Sequence, residues 1–149
     1  MNVLIDTCFW FAYYDGSDGH HQEAQKIMGM LRHHRILVPY PTLYETIDTR
    51  FCRRPEWIDH FNRLINSSQC VLIQDDQYKA QTLALSVDSV LLKNRAISLV
   101  DMVIRQMIDD VNLRSDAVIS FNSVDFVDIC RKKSKIFISD SNMANVLGE

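Results

Sequence analysis

Only four glycines and three prolines punctuate the 149 residues, and no apolar run approaches the ~20 residues of a membrane-spanning helix. The first scarcity excludes collagen-like, linker-like and low-complexity chains; the second leaves no hydropathy-defined membrane span. The opening segment, Met1 to Asp6, lacks a basic leader and reaches a carboxylate at once, so neither a signal peptide nor an anchor is expected, and the expected location is cytoplasmic. Paired cysteines are missing too. Cys8, Cys52, Cys70 and Cys130 lie far apart, with no CxxC unit and no histidine at zinc spacing, which argues against a structural zinc site and for reduced, mostly buried thiols. Nor is there an excess of positive charge: a net charge of −3 gives no global basic footprint for nucleic acid. The cations that exist are clustered, Arg50, Arg53 and Arg54 in one stretch and Arg131, Lys132, Lys133 and Lys135 in another, and each cluster also fits a solvated helix end.

What is present is a regular alternation. At 149 residues and 47% apolar content the chain can bury a core as one domain, residues 1–149. Short unalternating apolar runs, Asn2 to Ile5, Ile36 to Val38, Cys70 to Ile73, Ala117 to Phe121 and Ile136 to Ile138, have the pattern of parallel strands covered on both faces. Between them the helical period recurs. Asp18 can cap a helix carrying Ala24, Ile27, Met28 and Leu31; Pro41 suits the first turn of one holding Leu43, Ile47 and Phe51; Pro55 starts a third with Trp57, Ile58, Phe61, Leu64 and Ile65 on its apolar side. Further helices are expected from Asp75 or Asp76 through Leu83, Ala84, Val87 and Leu91, from Leu99 to Val111, and from Ser123 to Arg131. The order predicts an α/β fold, a three-layer α/β/α sandwich with a mainly parallel sheet of about five strands.

In such a sheet the active crevice lies beyond the carboxyl ends of the strands. Asp6 directly follows the first strand, Glu45 falls in the first turns of the helix after the second, and Asp101 and Asp125 sit at later helix starts. All four can share one edge. Four carboxylates in one crevice repel unless protonated or bound to cations, and hard oxygen ligands suit Mg²⁺ or Mn²⁺, which can activate water and stabilise the leaving oxygen of a phosphodiester. A plainer role competes: Ser98 precedes Asp101 by three residues and Asn122 precedes Asp125 by three, so each pair also fits a capping box. His20 and His21 are expected to be exposed at a helix start. Trp10, Phe11, Tyr13 and Tyr14 form an aromatic stretch that could stack on bases but more often belongs to a core or subunit contact. Trp57 and Phe61 look too exposed for one small domain to bury, which predicts a homodimer.

These segments, taken in order, resemble the PIN-domain family. VLIDTCFWFAYYDGSDGHHQEA is similar to its opening, with Thr7 after the first acid; PTLYETIDTRF resembles the stretch carrying the second acid, here Glu45; ISLVDMVI resembles the third motif, with Ser98 before Asp101; and SFNSVDF is similar to the fourth, with Asn122 before Asp125. The match spans residues 1 to about 130 and is nearest to the toxin half of VapBC-type toxin–antitoxin pairs. The resemblance implies a Mg²⁺- or Mn²⁺-dependent endoribonuclease acting on RNA, usually a homodimer, restrained by an antitoxin protein whose tail fills the groove. Two departures stand out. Asn122 occupies a position where many relatives carry Asp, and residues 86–97 match no motif.

A haloacid-dehalogenase-type phosphatase would need a second Asp two positions after Asp6, where Cys8 stands, and a dinucleotide-binding domain would need glycine between Thr7 and Phe11, where there is none. The remaining rival is a catalytically silent PIN-like module serving as a binding partner or scaffold. Uptake of Mn²⁺ by the acids separates it from an enzyme.

Overall fold

The first strand, β1 (Asn2–Ile5), buries Val3, Leu4 and Ile5 completely, so the sheet around it must be covered on both sides. The computed structural model, which describes residues 1–148, shows how. β1 is central in a five-stranded, wholly parallel sheet of order β3-β2-β1-β4-β5, with β2 (Arg35–Pro39), β3 (Cys70–Ile73), β4 (Ala117–Ile119) and β5 (Ile136–Ile138). The register pairs Val3 with Ile36 and Ala117, and Leu4 with Leu37 and Val118. Because side chains alternate along a strand, these two rows enter different cores.

Val3, Ile5, Ile36, Val38, Ala117, Ile119 and Ile138 join one core with α1 (Thr7–Tyr14), α2 (His21–Met30), α4 (Thr49–Cys52), α5 (Pro55–Ile65) and the 3₁₀ turn Met143–Leu147. Leu4, Leu37 and Val118 join the other with α7 (Leu99–Asp109) and α8 (Ser123–Lys132). That is the three-layer α/β/α arrangement the sequence predicts. Between the second strand and α4 lies α3 (Tyr40–Thr46), and α6 (Lys79–Lys93) packs against α7 rather than on the sheet. No helix among the described residues is long and apolar enough to cross a membrane.

Several local expectations change. The aromatic stretch after β1 is a helix, α1, apolar all round and therefore without an amphipathic signature; Phe9 and Trp10 are fully buried in the first core. Asp18 does not cap α2. Its carboxylate accepts from His20 N at 2.7 Å, forming a turn, and α2 begins without a side-chain cap. The helix expected through Phe51 is broken after Thr46, because Asp48 caps α4 by accepting from Phe51 N at 2.8 Å. This swings Phe51 into an aromatic cluster with Tyr14, Trp57 and Phe61, so Phe61 is 1% exposed and Trp57 packs against the core. The exposure that motivated a homodimer from those two residues is therefore not found. The largest reversal is α6: Leu83, Val87 and Leu91 face outward at 60%, 49% and 74% exposure, while Thr82 and Ser89 are buried and bonded to the Tyr78 and Arg95 carbonyls. Asn94, with φ at 49°, ends the helix in the left-handed conformation. The four thiols are free, but Cys130 alone is buried, and Cys52 is exposed.

Candidate active site

The strand order reverses direction between β1 and β4, and the crevice that opens at such a switch point lies beyond their carboxyl ends. Asp6 stands there, 4% exposed. A carboxylate this buried is costly unless hydrogen-bonded, and it has three partners: Thr7 N at 2.7 Å on one oxygen, the Ser120 hydroxyl at 2.8 Å and the Cys8 thiol at 3.0 Å on the other. Ser120 in turn accepts from Asn122 N at 2.9 Å, which folds the chain away from the sheet after Ile119 and ends β4 two residues earlier than its sequence indicates. Cys8 is locked as a thiol. Burial, and then the adjacent Asp6 charge, push it up to about 12.

Glu45 comes to the same edge on α3, where the Thr7 hydroxyl donates to its carboxylate at 2.6 Å, so one threonine ties the first and second acids together. Asp101 sits in the first turn of α7. Ser98 both accepts from Asp101 N at 3.0 Å and donates to its carboxylate at 2.6 Å, so the capping role is realised here. It is not the whole of Asp101's situation. Burial raises its carboxyl to about 6 against the pull of the Ser98 hydroxyl, and Asp6, Asp125 and Glu45 each add to the rise by like charge. The charges of all three acids therefore reach the Asp101 carboxyl. Asp125 lies in the first turn of α8, and Asn122 provides no cap; its amide instead donates to the Asp125 carboxylate.

The four sequence-predicted acids thus come together, and Thr7, Ser98 and Asn122 each hold one or two of them. Among the described residues, no group of three or more His, Cys, Asp or Glu side chains is already drawn together so that it could hold a metal ion. The donors are nonetheless all hard oxygens, clustered where like charge is uncompensated, which is the chemistry a Mg²⁺ or Mn²⁺ ion requires.

Sequence reading missed the residues behind the acids. Arg105, one turn after Asp101, makes a paired contact with Asp128 (2.6 and 2.8 Å) and donates to the Asp125 carbonyl. Arg95 bonds Asp128 at 2.7 Å and the Val124 carbonyl at 2.9 Å. These contacts staple α7 to α8 behind the site and hold Asp128 well below the usual carboxylate range. The available signal was spacing, since Arg105 follows Asp101 by four and Asp128 follows Asp125 by three. Ser120 and Cys8 had no comparable signal. The basic clusters serve elsewhere: Arg50 pairs with Asp15, Arg54 stacks on Trp57 at 5.2 Å, Lys133 pairs with Asp109 at 2.7 Å, and Lys135 donates to the Ser115 carbonyl. His20 is exposed and stacked on Phe121 at 4.4 Å, whereas His21 is half-buried against the Ala12 carbonyl.

No protein-family profile and no curated protein matches the sequence. Solved structures do match. One is Mycobacterium tuberculosis VapC20, a toxin that cleaves the sarcin–ricin loop, with a TM-score of 0.67 over 85% of this chain and 94% of that one, at 16% identity. Another is VapBC2 from Rickettsia felis, solved with a DNA fragment from its promoter, with a TM-score of 0.59 over 93% of this chain and 98% of that one, at 13% identity. The protein therefore has the PIN-like α/β/α fold. Within that class, its fold is similar to those of these VapC and VapBC structures.

Proposed function

We propose that the protein is a divalent-cation-dependent endoribonuclease and the toxin of a toxin–antitoxin pair. One observation carries this reading: Thr7 ties Asp6 to Glu45 at the carboxyl end of β1, and the Asp101 carboxyl, raised first by burial, is raised further by the charges of Asp6, Asp125 and Glu45. A fold that only needed helix caps would have no reason to crowd them. Asp6, Glu45, Asp101 and Asp125 would hold the cation, with Thr7, Ser98, Ser120 and Asn122 orienting their oxygens. When bound, Mg²⁺ or Mn²⁺ offsets phosphate charge and acidifies a water. The chain itself supplies a fixed Asp6, Glu45 tied beside it through Thr7, an Asp101 carboxyl able to accept a proton, and the staple that keeps α7 and α8 in register.

The VapC-type fold supports RNA as substrate and an antitoxin as partner. The outward apolar stripe of α6, Leu83, Val87, Val90 and Leu91, supports a homodimer better than Trp57 and Phe61 do. A catalytically silent scaffold is the second reading, favoured by the realised Ser98 cap and by the absence, among the described residues, of a ready group of three metal-holding side chains. The test is cleavage of a mixed structured RNA. Cleavage that needs Mg²⁺ or Mn²⁺, stops with EDTA and is lost in Asp6→Asn supports the nuclease. A parent that never cuts, or an Asp6→Asn variant that cuts as fast, favours the scaffold.

A further inference from the structure

Beside the acid crevice, toward β3, a cavity of about 260 Å³ opens between α3 and α7. Its walls are Pro41 and Tyr44 of α3 and Leu99, Val100 and Val103 of α7. The two elements are those that carry the second and third acids: Tyr44 precedes Glu45 in sequence, and Val100 precedes Asp101. Tyr44 is 67% exposed, with its ring edge-to-face against Tyr40 at 5.5 Å, and Leu99 is 51% exposed, so an aromatic and an aliphatic side chain stand at the rim. At this size the slot falls just under the ~300 Å³ at which small-molecule sites begin, enough for one planar ring system and too small for a helix.

The polar end of the slot is Asp75 with Lys79. Asp75 is 8% exposed, yet its side chain caps no helix: α6 starts at Lys79, after Tyr78, without a side-chain cap. Its nearest cation, Lys79 Nζ, lies 3.5 Å away and makes its shorter contact, 3.0 Å, with Asp76. Asp75 therefore lines the slot with acceptor capacity beyond its one cation contact.

We propose that this slot binds one unstacked RNA base beside the scissile phosphate, and that Asp75 selects guanine. The inference rests on the nuclease reading and names the substrate feature read by that site. Unpaired bases are recognised by stacking on aromatic side chains and by hydrogen bonds to their Watson–Crick edge. Guanine alone presents two adjacent donors on that edge, N1–H and N2–H, which match the two oxygens of a carboxylate; its O6 is an acceptor for Lys79. Uracil offers one N–H flanked by carbonyl oxygens, and cytosine and adenine place a ring acceptor beside their amine, so each sets a lone pair against Asp75. Tyr44 supplies the stacking face.

The test is an NMR titration of the whole protein, without divalent ions, with guanosine 5′-monophosphate and separately with uridine 5′-monophosphate. The expected result is that guanosine monophosphate shifts the resonances of Tyr44, Asp75, Leu99 and Val103 and binds at least about tenfold more tightly than the uridine nucleotide, the discrimination a two-bond contact gives. Asp75→Asn should abolish that preference, and Tyr44→Ala, an exposed change, should weaken both nucleotides alike. Equal binding of the two nucleotides, shifts confined to other surfaces, or an Asp75→Asn variant that keeps the preference overturns the inference. Mononucleotide binding needs neither cation nor cleavage. A protein that binds guanosine here but never cuts RNA sinks the nuclease reading alone, and one that cuts RNA with an empty slot sinks this inference alone.

Discussion

Asp101 is a carboxyl kept partly protonated by its surroundings, and that has a measurable cost. Its folded value, about 6, lies above the ~4 of an unfolded aspartate, so the fold binds that proton more tightly than the open chain does. The stabilisation is fully present below pH ~4 and is lost as the pH rises toward 6; at neutral pH the charged form works against folding. Asp101→Asn should therefore raise stability at pH 7 by about 1 kcal/mol, after discounting for partial exposure, and bring no gain at pH 4, as thermal melts at the two pH values would show. Ser98→Ala removes a realised cap and should cost about 1 kcal/mol. Thiol reactivity checks the other side of the crevice. With Cys8 pushed up to about 12 and Cys52 exposed, alkylation at neutral pH followed by peptide mass mapping should label Cys52 first and leave Cys8 unmodified. The position of Asp6 was legible because a carboxylate closing an apolar run is expensive unless paired or liganded, and that of Asp125 only as an acid at a helix start. The partners Ser120 and Cys8 were not, since their roles depend on two distant segments meeting.

Strands were the most legible elements, because each is a short apolar run that must be buried on both faces. Helices failed where burial and periodicity part. α1 has no polar face to betray its period, and α6 shows an apolar period yet turns that face outward while burying Thr82 and Ser89. The break between α3 and α4 depended on Asp48 claiming the Phe51 N–H, which a pattern of apolar residues cannot reveal. At this scale the staple between α7 and α8 carries a prediction. Asp128 is held far below its ordinary value first by the Arg105 hydrogen bonds and also by Arg95, so its contribution is present above pH ~4 and is lost as the pH falls into the acid range. Asp128→Ala should lower stability by about 1 kcal/mol at pH 7, allowing for the half-exposed carboxylate, and should also slow cleavage, since Asp101 and Asp125 ride on the two helices it joins. A variant that melts lower but cuts at the parent's rate would show the staple to be structural only.

For the molecule as a whole, the strand order changes its direction of progression between β1 and β4, and Asp6 follows β1 at that switch point. The outward face of α6 belongs to this scale as well: Leu91→Asp should shift a homodimer to monomer in light scattering at micromolar concentration, and a parent already monomeric there would remove the dimer from the account. The central claim is that the four acids form one cation site. Titration of Mn²⁺ into the metal-free protein, followed by electron paramagnetic resonance, tests it without reference to any substrate. The account predicts saturable binding in the parent, accompanied by a raised melting temperature, and its loss in Asp6→Asn and Asp101→Asn proteins that remain folded. Absence of saturable binding in the parent, or equal binding in all three proteins, contradicts it.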